Sequence, residues 1–176
     1  MKSVLISIRP KWCEKIASGE KTIEVRKSAP SEVPFKCYIY MSQGDLKDLG
    51  SYSEWIYKNR MKVIGEFICD KVYNIEPIFS FYGCYSGYDD TSDCSYFEGY
   101  SIDDERLEET CLTQQDLCIY GNGNRLYGWH ISDLKIYDKP KKLSEFISSK
   151  PKNKFRAHGD NLTRPPQSWQ YVEEQK

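Results

Sequence analysis

The chain has 176 residues, 39% of them hydrophobic, 14% aromatic and 29% charged, with a formal net charge of −1. This fits one globular domain able to bury a full core, and it leaves no room for a second full domain. No apolar run reaches the length of a membrane span or signal peptide, because Val4 to Ile8 is flanked by Lys2 and Arg9; a cytoplasmic protein without a membrane partner is the expectation. The seven Cys are odd in number and scattered, and no CxxC pair occurs, so they read as reduced thiols rather than a disulfide framework or zinc ribbon. Neither a metal nor a cofactor is expected.

The small net charge conceals a strong asymmetry. Residues 1–36 carry eight Lys/Arg against four Asp/Glu, residues 83–118 one against ten, and residues 135–176 ten against five. If the two basic ends meet in space they form a basic surface, with the acidic middle set apart.

In chain order, Val4, Ile6 and Ile8 alternate as on a half-buried strand. Pro10 then opens a short helix in which Trp12 and Ile16, and likewise Cys13 and Ala17, share a face, and Gly19 stops it. The stretch Gly19-Glu20-Lys21-Thr22-Ile23-Glu24-Val25-Arg26 follows as a strand. Alternation places Thr22, Glu24 and Arg26 on one side and Lys21, Ile23 and Val25 on the other, so one face can be core and the other a binding floor.

Phe35 to Ser42 reads as the next strand. Ser51 and Glu54 stand at capping-box spacing before a short helix to about Arg60. Lys62 to Tyr73 reads as one long strand, bulged near Gly65 and carrying Glu66 inside an apolar run. From Glu76 to about Glu109 no helix or strand period is visible, and residues of about 76–112 read as an acidic, loop-rich, solvated insertion. Asp89, Asp90 and Asp93 lack the EF-hand pattern. Thr113 and Asp116 mark a helix that stops at Gly121 or Gly123, and Arg125 to Tyr137 reads as a strand with Tyr127, Trp129 and Ile131 opposite Gly128, His130 and Ser132. Leu143 to Ile147 suits one helical turn, and the segment after Pro165 and Pro166 suits a closing strand. The whole is an α+β domain, a small mixed β-barrel with short flanking helices.

The strand, short helix and GxKxxExR run, filled by Gly19, Lys21, Glu24 and Arg26, resembles the ASCH domain, a family related to PUA domains. Tyr127 to Leu134 and Pro165-Pro166-Gln167-Ser168-Trp169 also look like elements of ASCH-like proteins from bacteria and phages. The resemblance implies a PUA-like barrel spanning residues 1–176, interrupted by the acidic insertion, and a nucleic-acid role with RNA the usual ligand. Some relatives are hydrolases, one group deacetylating a modified cytidine with a Lys, Thr and Glu set, another acting as ribonucleases. Lys21 matches that lysine and Glu66 can serve as the glutamate, but Glu24 stands three residues after the lysine, where the threonine belongs.

The expected function is binding of RNA, or of a nucleotide or nucleoside ligand, in a basic cleft with Arg9, Trp12, Lys21, Glu24, Arg26 and His130 as ligand-binding residues. Arg supplies a planar fork for phosphate or a base edge, Lys a compact charge, Glu24 an acceptor for a base amino group, and Trp12 a stacking surface. The alternative is a hydrolase of a modified nucleoside or RNA, with Lys21 and Glu66 as acid and base and Thr22 or water as nucleophile. A third reading is a protein-interaction module that meets its partner through the acidic loop. The run Lys150, Lys152, Lys154, Arg156 and Arg164 would track a nucleic-acid backbone in a binder.

Overall fold

Two β-sheets organise the computed structural model, which describes residues 2–45, 52–82, 94–149 and 159–175. The chain divides into two compact units, the first comprising Met1–Thr22, Pro30–Lys71 and His130–Lys176, the second Ile23–Ala29 and Val72–Trp129. The division separates charge. From the sequence, the first unit has 21 Lys/Arg against 14 Asp/Glu, or +7, and the second four against 12, or −8.

The first unit is a mixed five-stranded sheet. Its strands are β1 (Ser3–Ile8), β3 (Phe35–Met41), β4 (Lys62–Cys69), β8 (Ser132–Lys141) and β9 (Trp169–Val172), in the order β8-β4-β3-β1-β9. Strand β1 runs parallel to β3 and antiparallel to β9, while β4 is antiparallel to both β3 and β8. The half-buried β1 expected from alternation is corrected: Val4, Leu5 and Ile6 are all fully buried, because a strand flanked on both sides and paired in parallel is covered on both faces. Leu5, Tyr38, Tyr40, Val63, Phe146, Leu162 and Val172 form one core cluster, with Phe146 edge-on to Tyr38 at 5.0 Å between ring centroids. Burying a side chain such as Phe146 contributes roughly 1.5–3 kcal/mol.

Helix α1 (Pro10–Ala17) buries Pro10, Cys13 and Ile16, a stripe three residues apart, and Gly19 at φ +81° ends it as expected. Helix α2 (Glu54–Asn59) is capped by Ser53, whose hydroxyl accepts from the Ile56 N–H. The expected cap, Ser51, lies outside the described residues. The bulge near Gly65 is present: pairing with β3 shifts so that Ile64 is the extra residue. Glycine is required there because an added Cβ would stand 2.4 Å from the Lys135 carbonyl oxygen.

The second unit holds β2 (Ile23–Arg26), β5 (Val72–Tyr82), β6 (Cys94–Ser101) and β7 (Leu126–His130), in the order β2-β7-β5-β6; His130 itself belongs to the first unit. Helices α3 (Asp104–Thr110) and α4 (Gln114–Gly121) cover a cluster of Val25, Ile75, Tyr100, Leu117 and Leu126. The Thr113–Asp116 capping box forms as expected, and Asn122 rather than a glycine takes the left-handed position that ends α4.

Three expectations are corrected here. The strand expected over Lys62 to Tyr73 breaks at Asp70–Lys71 into β4 and β5, and the one over Arg125 to Tyr137 breaks at Ile131 into β7 and β8. Both breaks fall where the chain passes between units, so each half serves a different sheet. The stretch from Glu76 to Glu109 is not loop throughout, for it contains most of β5, all of β6 and most of α3. Asp89, Asp90, Asp93, Lys150, Lys152, Lys154 and Arg156 lie outside the described residues. No helix of the described residues is long and apolar enough to cross a membrane.

Candidate ligand site in the Gly19 to Arg26 segment

Lys21 follows the turn at Gly19, where the Gly19 N–H donates to the Ile16 carbonyl and the Lys21 N–H to that of Lys15, each at 3.0 Å. Lys21 is only 2% exposed, and its ammonium lies 5.2 Å from the centroid of the Trp12 ring. The Lys11 ammonium stands 4.3 Å from the same ring, so half-buried Trp12 is an aromatic plate attended by two cations. Arg9 precedes α1 and is largely exposed, with a guanidinium nitrogen 3.6 Å from Asp45, a weak surface pair.

Thr22 ends the first unit's first segment. Its carbonyl accepts from the Ile131 N–H at 2.8 Å, while its hydroxyl oxygen is buried with no hydrogen-bond partner among the described residues. The strand begins at Ile23, so the expected alternation does not govern Lys21 and Thr22. It does govern Glu24 and Arg26, which share a face as expected.

In the second unit, all four residues of β2 are buried. Glu24 and Arg26 form an ion pair at 2.9 Å, with side chains 8% and 11% exposed. The Tyr120 side chain of α4 hydrogen-bonds Arg26, and the Lys27 ammonium lies 5.1 Å from the centroid of its ring. Burial pushes the Tyr120 phenol above its ordinary pKa, with Arg26 opposing. Tyr120 is absent from the sequence-derived set, because nothing local connects a helix residue near position 120 with a strand near position 26.

Glu66 makes different contacts. It sits opposite Tyr38 in the register, accepts a hydrogen bond from the Tyr137 hydroxyl, and has the Lys36 ammonium at 3.8 Å. Lys36 also reaches Glu174 at 3.4 Å. Burial works against the Lys36 charge, yet Glu66 and Glu174 outweigh it and raise its pKa. Burial, then the bond to Glu66, pushes the Tyr137 phenol well above its usual range. Glu66 thus engages Tyr137 and Lys36, not Lys21.

His130 also has a partner of its own. Its Nδ1 lies 2.6 Å from Asp70 Oδ1, and its backbone N–H donates to the Lys71 carbonyl at 3.0 Å. The hydrogen bond from His130 lowers the Asp70 pKa, and the Ser132 hydroxyl adds to that effect. Next to this pair, burial raises the Cys69 thiol to about 12. Asp70 was not legible as a partner, since 60 residues separate it from His130.

These groups can hold a ligand by charge, hydrogen bonding and stacking. No group of three or more His, Cys, Asp or Glu placed to hold a metal ion occurs among the described residues.

The mixed sheets and short helices make this an α+β protein, and its fold is that of solved ASCH structures. The chain is similar to the crystal structure of ASCH from Zymomonas mobilis, with a TM-score of 0.56 and 19% identity over 98% of this chain and 89% of that one. Two single-substitution variants of the Zymomonas protein match alike, each with a TM-score of 0.56 at 18% identity. The serine-to-alanine variant covers 98% of this chain and 89% of its own. The tyrosine-to-phenylalanine variant covers 99% and 92%. No protein-family model matches the sequence, and no curated protein matches it.

Proposed function

We propose that this ASCH-fold protein binds RNA, or a nucleotide-sized ligand, through the Gly19 to Arg26 segment. The observation that carries the reading is the burial of three ionisable side chains within six residues: Lys21, Glu24 and Arg26 are 2%, 6% and 9% exposed. Withdrawing an ion from water costs several kcal/mol even after relaxation, and apolar residues of similar size would stabilise a fold as well or better. Three such groups kept in one short segment favour recognition over packing as its role. In this reading Lys21 offers a compact positive charge beside the stacking face of Trp12 in the first unit, and in the second unit the Arg26 fork and the Glu24 carboxylate offer partners for a phosphate or a base edge. The +7 charge of the first unit draws a polyanion, and Arg9 contributes to that field.

A second reading, hydrolysis of a modified nucleoside or of RNA, has one specific observation in its favour. The buried Thr22 hydroxyl has no hydrogen-bond partner among the described residues, and Lys21 is its chain neighbour. In that reading Thr22 or water attacks and Lys21 acts as acid or base. Glu66 would have to leave Tyr137 and Lys36 to take part.

The test is retention of fluorescein-labelled single-stranded RNA and of a panel of modified nucleosides, with products followed by mass spectrometry. Retention should weaken at least tenfold in Lys21→Ala and in Arg26→Met, and log Kd should rise with log salt with a slope near 0.7 per phosphate neutralised. Products that disappear with Lys21→Ala select the hydrolase. Absence of any retention at low salt overturns both readings.

A further inference from the structure

The second unit carries a feature that nucleic-acid binding does not use. Beyond Ile75, where β7 stops pairing, β5 and β6 continue as a two-stranded antiparallel ribbon from Glu76–Ser101 to Tyr82–Cys94. Strand β6 is the last in its sheet, so its outer edge has no strand partner among the described residues. At the Ser101 end of β6, the Tyr100 N–H donates to the Gln114 side-chain oxygen at 3.3 Å and the Tyr100 carbonyl accepts from the Gln114 amide nitrogen at 3.1 Å. A side-chain amide thus caps one end of the edge in place of a strand, and the run from Cys94 to Glu98 has no such cap among the described residues.

The ribbon also displays apolar side chains. Tyr96, Phe79 and Ile78 are 66%, 43% and 41% exposed, and Phe79 leads inward through Phe97 to Tyr100, with ring centroids 5.7 and 5.4 Å apart. A two-stranded ribbon is marginal in water, and an open edge with exposed aromatics is a ready template for another strand. Charge then selects the partner. The unit has 12 Asp/Glu against four Lys/Arg, a balance that attracts cationic chains.

We propose that the Cys94 to Glu98 edge is a docking site for a basic, extended segment of another protein, which adds to β6 as a further strand. Backbone hydrogen bonds along the edge give affinity, Tyr96 packs against the apolar side chains on one face of the incoming segment, and its Lys or Arg residues meet the acidic unit. A second copy of this chain is the poorer occupant. Its basic unit would meet the acidic one head to tail, a contact that propagates into open assemblies and covers the cationic surface.

The test uses the full chain and three synthetic ten-residue probes: alternating Lys and Val, the same charge with Pro at every Val, and alternating Glu and Val. Fluorescence anisotropy should show the Lys–Val peptide binding at least tenfold more tightly than the Lys–Pro peptide, with no binding of the Glu–Val peptide. Amide hydrogen exchange should slow in β6 on binding. Tyr96→Lys and Glu98→Lys, both exposed surface changes, should each weaken the Lys–Val peptide about tenfold while leaving RNA retention and the melting temperature unchanged. Equal binding of the Lys–Val and Lys–Pro peptides, or unchanged β6 exchange, overturns the strand-addition proposal. Slowed β6 exchange without peptide, rising with protein concentration, assigns the edge to a second copy and also overturns it.

Discussion

Replacing Glu24 by Gln keeps the shape of the side chain and removes its charge, so it isolates the electrostatic part of the buried pair. At 2.9 Å and an effective dielectric of about 20, the Glu24–Arg26 attraction is roughly 6 kcal/mol. Part of that offsets desolvation of the two groups, and the amide oxygen of Gln still accepts a hydrogen bond from Arg26. The guanidinium, its side chain 11% exposed, is left without its carboxylate. The expected loss is about 3 kcal/mol, the lower end of the range for breaking a buried pair. With a urea m-value of about 2–3 kcal/mol/M, the unfolding midpoint falls by roughly 1–1.5 M. Tryptophan fluorescence and far-UV circular dichroism follow the transition, Trp129 being a fully buried reporter in the same unit. The double variant Glu24→Gln with Arg26→Met removes the stranded charge and should return to within about 1 kcal/mol of the parent while still failing to retain ligand. A loss below about 1 kcal/mol for Glu24→Gln alone would refute the premise that these charges are energetically buried, and with it the main argument for the segment as a recognition site.

Gly65→Ala should destabilise the first unit by about 1–3 kcal/mol, since the new methyl meets backbone that must shift; an unchanged midpoint in urea would show that the β4–β8 spacing is soft. Asp70→Asn should cost under about 1 kcal/mol at pH 7, a small figure because the Asp70 side chain is half exposed. The folded-state pKa of Asp70 is depressed by the His130 hydrogen bond, so its contribution is complete above the unfolded value near 4 and is lost as the pH falls through the folded value below that. Thermal melts of parent and variant should therefore separate at pH 7 and draw together as the pH is lowered below the ordinary carboxylate range. With its thiol raised to about 12, Cys69 should resist iodoacetamide at pH 8, holding on the order of a thousandfold less thiolate than an ordinary cysteine; peptide mapping of the alkylated native protein checks this.

What the sequence disclosed was local. Gly19 as a helix stop, the Thr113–Asp116 capping box, the bulge at Gly65 and the shared face of Glu24 and Arg26 each follow from neighbours a few residues apart, and each is present. What it hid was the division of labour between sheets. Lys62 to Tyr73 and Arg125 to Tyr137 look continuous because apolar patterning does not change when a strand leaves one sheet for another. The β5–β6 ribbon was invisible for a related reason: with large side chains left exposed, it shows no alternation of buried and exposed positions. The partners of the site residues, Asp70 for His130 and Tyr120 for Arg26, come from distant segments, and no spacing rule reaches them.

The backbone bonds at the ends of the first unit's segments have a topological consequence. The chain departs after Lys71 and returns at His130, and those two residues are already joined by a 3.0 Å hydrogen bond, as Thr22 and Ile131 are by one of 2.8 Å. Residues 72–129 therefore begin and end at adjacent points, like a loop grown out of a hairpin. A tight two-residue turn could span that gap. Over evolutionary time residues 72–129 could be lengthened there without re-threading the basic sheet, while β2, which lies beside β7 and belongs to the acidic unit, limits how far they can be pared back.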